Sequence, residues 1–204
     1  GEGLSGIALG TSNIQEAKKK LAEMGVNAGE IISGEGTDFD SNEIRTWKNL
    51  FLPFSLTRGV FTFFIEHLDG ELPKNREEFD SPINKLDHVV INTNDPDGLI
   101  SLYRDKYGIR LALDQTVEEW GGRMLFFRLN QTTIEVIGKG NDKEPEDSLW
   151  GLAWVVKDIK ATHERLLSEG VELTKVIEGR KPNTLVVTVK SHTCNIPTLL
   201  IQHL

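Results

Sequence analysis

Few side chains in this sequence can do chemistry, and their spacing decides which of them share a surface. Arg128 stands in the run Arg123–Leu129, where strand alternation sets Met124, Phe126 and Arg128 on one face and Leu125, Phe127 and Leu129 on the other. On an inner face its guanidinium offers a planar fork for a carboxylate or phosphate; on a rim it is a solvated charge. His88 lies in Leu86-Asp87-His88-Val89-Val90-Ile91-Asn92. If it points inward, Val90 and Asn92 follow it, and Val89 and Ile91 belong to the opposite face. The single cysteine, Cys194, follows His192 in Ser191-His192-Thr193-Cys194-Asn195. Side chains so close on a loop seldom aim at each other, which favours an unreactive turn over a nucleophile and its base. Trp47, Trp120, Trp150 and Trp154 are candidate stacking platforms. Alternation puts Trp154 on the helix-covered side, as core, and leaves Trp47 to core or interface. Glu118-Glu119 reads as a solvated hairpin tip.

The elements that must position these groups recur along the chain. Leu4, Gly6, Ala8, Ile14, Leu21, Gly25, Val26, Ile32 and Gly34 reappear at one fixed offset as Leu149, Gly151, Ala153, Ile159, Leu166, Gly170, Val171, Ile177 and Gly179, which marks an internal duplication. Phe63–Leu68 matches Leu199–Leu204 in the same way, so His67 and His203 end equivalent strands. A third, more diverged copy begins where Leu86–Val90 aligns with Leu149–Ala153 and Asp95 with Asp158. Each copy reads as strand, helix, then further strands. Helix starts are signalled by Asn13, by Asp95 with Pro96 at the first helical position, and by Asp158; Gly25, Gly108 and Gly170 are the stops. The predicted strands are Leu4–Leu9, Ile31-Ile32, Ile44–Leu52 and Val60–His67 in the first copy. They are Arg110–Leu113, Arg123–Leu129 and Thr132–Ile137 in the second, and Leu185–Val189 and Thr198–His203 in the third. Asp69–Lys85 and Lys139–Ser148 read as solvated connectors.

The chain has 204 residues, 38% hydrophobic and 26% charged, with a formal net charge of −8 and no basic stripe. Nucleic acid is an unfavourable partner for such a surface. No run of 18 apolar residues exists, so no membrane is expected, and one cysteine fits a reducing, cytoplasmic setting. Gly1 in place of an initiator Met is expected to reflect processing, a tag remnant or truncation.

A βαβββ module in tandem, opened by Leu86-Asp87-His88-Val89-Val90 and closed by Thr132-Thr133-Ile134-Glu135-Val136-Ile137, resembles the vicinal oxygen chelate superfamily of glyoxalase I, bleomycin-resistance proteins and extradiol dioxygenases. The resemblance spans nearly the whole chain. It implies an α+β fold of tandem βαβββ modules whose mixed sheet curls into a cup, with three modules, one unpaired. The expected division is 1–68, an orphan module of second-half type; 69–85, a linker; and 86–204, a complete glyoxalase-like domain made of 86–138 and 149–204. The missing partner of the orphan module implies a longer four-module arrangement. An unpaired module leaves an apolar face and a strand edge open. A homodimer through module one is therefore expected, with packing on the flank of the complete pair as the alternative.

The resemblance also implies a ligand inside the cup and metal ligands on the first and last strands of each module, here His88 and Glu135. These types suit one divalent ion, Zn, Ni, Mn or Fe. The corresponding third-module positions, Gly151 and Leu199, bring no donor. His203 lies four strand residues beyond Leu199, roughly 13 Å away. Two protein ligands fall short of the usual three. Without metal, His88 and Glu135 form a polar pair still able to exchange a proton with a ligand. Gly151 and Ala153 leave room for an apolar small molecule or for close packing. The expected ligand-binding set is His88, Asn92, Arg128 and Glu135. The resemblance leaves open a glyoxalase-like lyase or isomerase, or a dioxygenase-related enzyme. A metal-free binding protein of the bleomycin-resistance type and a degenerate assembly module also remain.

Overall fold

The computed structural model describes residues 2–72, 82–117, 122–140 and 144–204. Glu118, Glu119, Trp120 and the central parts of both connectors lie outside the described residues. The chain divides into two compact units, one of Ser5–Arg76 and one of Gly1–Leu4 with Glu77–Leu204.

The first unit is a four-stranded sheet in the order β1-β4-β3-β2, built from β1 (Gly6–Gly10), β2 (Ile31–Thr37), β3 (Ile44–Phe51) and β4 (Phe61–Asp69). Helix α1 (Ile14–Glu23) starts where expected, with Asn13 accepting from the Glu16 amide, and ends before Gly25 at φ 75°. Its buried residues Ile14 and Leu21 lie with Leu9, Leu50 and Phe64 in the core. A short helix α2 (Phe54–Thr57), absent from the sequence reading, fills the β3–β4 connection.

The second unit holds one eight-stranded sheet in the order β10-β11-β12-β9-β5-β8-β7-β6. Its strands are β5 (Ile83–Thr93), β6 (Arg110–Val117), β7 (Gly122–Leu129), β8 (Thr132–Gly138), β9 (Asp147–Val156), β10 (Ile177–Glu178), β11 (Thr184–Val189) and β12 (Thr198–His203). The first strands of the two modules, β5 and β9, pair antiparallel at the centre, and β5–β8 and β12–β9 are parallel crossovers. Helix α3 (Pro96–Ile100) is capped by Asp95 and runs on as a π-helical segment, Ser101–Lys106; helix α4 (Ile159–Ser168) is capped by Asp158. Each covers one half of one sheet face. Under α3 and its continuation lie Phe127, Ile91, Leu125, Ile134 and Val136, all essentially inaccessible, and Tyr103 packs on Phe127 at 5.5 Å. Under α4 lie Val156, Val187 and Leu200, with Trp154 packed against them as expected. Among the described residues of this unit the other face of the sheet carries no helix, and the candidate site residues lie there.

Several strands outrun their expected ends. Asp69, Ile83–Lys85 and Asp147-Ser148 belong to strands rather than connectors, and β6 continues to Val117. These segments are polar, but each pairs with a neighbouring strand, which satisfies the backbone whatever the side chains are.

Candidate functional site

Residues matched across neighbouring strands share a face, so the register fixes what the helix-free face contains. His88 is opposite Thr133 and Val90 opposite Glu135 on β8; Phe126 is opposite Glu135, and Arg128 opposite Thr133, on β7. Across β9, His88 is opposite Ala153, which Leu199 meets from β12. His88, Asn92, Arg128 and Glu135 therefore all lie on one face. His88 and Glu135 touch, with Nε2 and Oε2 3.5 Å apart and both side chains less than one-fifth exposed. Asn92 is half-buried two residues further along β5. Arg128 is exposed and donates to the Thr133 hydroxyl at 3.1 Å, the rim position rather than the deep one.

The centre of the site is a residue that alternation assigns to the wrong side. Asp87 precedes His88, and neighbours on a regular strand point apart. In β5, however, Leu86 is opposite Trp154 while His88 is opposite Ala153, so a step of two residues along β5 matches a step of one along β9. Asp87 is the extra residue of a β-bulge, and bulges re-aim side chains. One of its carboxylate oxygens lies 2.9 Å from His88 Nδ1, and the other accepts from His203 Nε2 at 2.8 Å. The Thr132 hydroxyl donates to the Asp87 carbonyl at 3.1 Å.

This clustering pushes the two carboxyls in opposite directions. Hydrogen bonding from His88 outweighs burial at Asp87, and with His203 it holds that group far below the usual carboxylate range. Burial dominates at Glu135 and raises it, opposed by His88, reinforced by the Asp87 charge and opposed again by the Arg180 guanidinium. One carboxyl is thus held ionised while burial shifts its neighbour upward.

For a metal, His88 and Glu135 are two donors, and Ala153 and Leu199 present only hydrocarbon from the other half. Among the described residues no group of three or more His, Cys, Asp or Glu is arranged to hold an ion. His88 Nδ1 and His203 Nε2 are already engaged with Asp87. The donor set does not fit a metal centre with three protein ligands.

Sequence reasoning missed Asp87, which no periodicity could place, and it treated His203 as the duplicate of the strand-end His67 and as a distant substitute for Leu199. Gly151 has a packing explanation: a Cβ there would stand 2.7 Å from the Pro197 carbonyl oxygen. Cys194 is exposed, and His192 contacts the Ser191 hydroxyl at 2.9 Å.

A sheet assembled from two βαβββ modules, helices on one face and polar groups on the other, defines the glyoxalase-like class of fold. Residues 87–187, just under half of the chain, match the family described as Glyoxalase/Bleomycin resistance protein/Dioxygenase superfamily. The curated ethylmalonyl-CoA/methylmalonyl-CoA epimerase of Cereibacter sphaeroides is 27% identical over 100 residues, 45% of this chain and 75% of the relative. The crystal structure of methylmalonyl-CoA epimerase from Mycobacterium tuberculosis is similar with a TM-score of 0.50 at 22% identity, covering 63% of this chain and 94% of that one. A selenomethionine methylmalonyl-CoA epimerase structure reaches 0.51 at 19% identity over 62% of this chain and 99% of its own. At these identities the structural likeness bears on the fold.

Proposed function

We propose that the Leu86–Leu204 domain binds a small organic acyl compound on its helix-free face and isomerises it by moving a proton at the carbon beside a carbonyl. The observation that carries this reading is the 3.5 Å contact between His88 Nε2 and Glu135 Oε2. A largely buried imidazole in contact with a carboxyl that burial shifts toward its protonated form makes an acid–base couple. His88 Nε2 takes the substrate proton, Glu135 returns one, and transfer between the two resets the site. Phe126, Met124 and Leu199 supply apolar surface for the acyl chain, Asn92 a polar contact, and Arg128 a rim cation for an anionic tail. The name of the Cereibacter sphaeroides relative supports an acyl-CoA ester as first substrate to try.

The test is incubation with methylmalonyl-CoA in D2O, with deuterium at the acidic carbon read by mass spectrometry, alone and with Zn, Ni, Mn or Fe(II) added. Wild-type protein is expected to exchange that hydrogen faster than buffer, and Glu135→Gln to fall back by at least about a hundredfold. Exchange no faster than buffer in every arm defeats the proton-transfer reading. Tight binding of acyl ester without exchange would instead establish the metal-free binding protein, which the hydrocarbon at Ala153 and Leu199 favours. We also propose that the chain self-associates as a homodimer through its first module.

A further inference from the structure

We propose that Asp87 and His203 are a positioning pair, in which Asp87 fixes His88 as the Nδ1–H tautomer and His203 clamps the second Asp87 oxygen, so that the His88 Nε2 lone pair is held toward Glu135. This rests on the proton-transfer reading, which needs an accepting Nε2.

The tautomer follows from what each atom can offer. An ionised carboxylate has lone pairs and no proton to give. The 2.9 Å contact with Asp87 therefore requires the hydrogen to sit on His88 Nδ1, which in the neutral ring leaves Nε2 as an acceptor. The same logic makes His203 Nε2 a donor across its 2.8 Å contact. The deeply lowered pKa of Asp87 agrees with an ionised group. Hydrogen bonding at one ring nitrogen commonly decides the state of the other.

The chain invests local irregularity in this contact. A regular β5 would send Asp87 under the helices; the bulge between Leu86 and His88 brings it to the site face. His203 comes from the other module. Strands β5 and β12 are separated by β9, roughly 10 Å at sheet spacing. The Asp87–His203 contact spans that gap, and the two modules are then tied by one charged bridge at the catalytic imidazole. A carboxylate held at one oxygen can swing; held at both, it cannot.

Long-range 1H–15N correlation of the imidazoles, at a pH where His88 is neutral, tests this directly. Wild-type protein is expected to show His88 protonated at Nδ1, the reverse of free imidazole side chains, which favour Nε2–H. Asp87→Ala is expected to return His88 to the Nε2–H form with the amide spectrum still dispersed. His203→Ala is expected to lower the Nδ1–H population, and His203→Gln, whose amide still donates to Asp87, to restore it. In acyl-ester exchange, Asp87→Ala is expected to lower kcat about ten- to a hundredfold with KM within about twofold. A wild-type His88 protonated at Nε2, or a tautomer unmoved by Asp87→Ala, overturns the proposal; the first measurement needs no variant to fold. The tautomer shift without any exchange by wild-type protein would leave the positioning pair standing and defeat the proton-transfer reading alone.

Discussion

At the scale of single residues, the two carboxyls of the site pull stability in opposite directions with pH. Glu135 is raised, so the folded state holds its proton more tightly than the unfolded chain. Stability then falls as pH rises through the window from its ordinary value of 4.5 upward, and the penalty persists above it. Glu135→Gln is expected to raise Tm at pH 7 by a few degrees, with the gain vanishing near pH 4, by calorimetry across pH. Asp87 is lowered, so its contribution is complete above its usual value of 3.8 and is lost as pH drops toward the depressed one. Asp87→Asn is expected to cost about 1–3 kcal/mol at neutral pH by urea denaturation, the difference shrinking in acid. The sequence showed His88 and Glu135 together only through resemblance to a family. Asp87 was invisible because adjacency on a strand argues against shared chemistry, and a bulge leaves no residue-type signature here. Arg128 was legible as to face and not as to depth, since alternation says nothing of distance from the rim.

At the scale of elements, duplication explains why particular residues recur. Glu66 on β4 accepts from the Ile14 amide at 3.2 Å, and Gln202 on β12 accepts from the Ile159 amide at 2.9 Å. In both copies a side chain from the closing strand satisfies a first-turn amide that the helix itself leaves open. Gln202→Leu is expected to cost about 1 kcal/mol. Gly6 and Gly151 are paired in the same way: each faces the residue that leads into the closing strand, Phe61 and Pro197, at a distance that excludes a Cβ. Gly151→Ala is expected to destabilise by about 1–3 kcal/mol, because backbone must move, whereas Gly140→Ala meets nothing within 4 Å and is expected to be neutral. Equilibrium unfolding of the two variants side by side checks both. The caps at Asn13, Asp95 and Asp158 and the closing strand Thr198–His203 were legible because they depend on local chemistry. The two-residue β10, helix α2 and the polar ends of β5 and β9 were not, because tertiary pairing rather than side-chain pattern holds them.

At the scale of the whole molecule, the strand that begins each module meets different fates. In the second unit, β5 and β9 pair with each other as well as with β8 and β12. In the first unit, β1 pairs with β4 alone among the described residues, so its other edge offers unpaired amides and carbonyls. The face opposite α1 carries Phe51, Phe61 and Phe63 in mutual ring contact at 5.3 to 5.8 Å, with Phe54 beside Phe61 and two-thirds exposed. A second copy, presenting its own β1 antiparallel across a two-fold axis, would reproduce on module one the pairing that β5 and β9 already make. Ala8 is the middle residue of β1 and is exposed, so such an axis brings the two Ala8 side chains near each other. Ala8→Lys would then set like charges face to face, an arrangement that disfavours strand pairing. Sedimentation velocity at micromolar concentration is expected to show a dimer for the wild-type chain and a monomer for Ala8→Lys with an unchanged far-UV spectrum. A wild-type monomer across the accessible concentration range removes the dimer, because an edge that stays unpaired at high concentration has no use for a second copy.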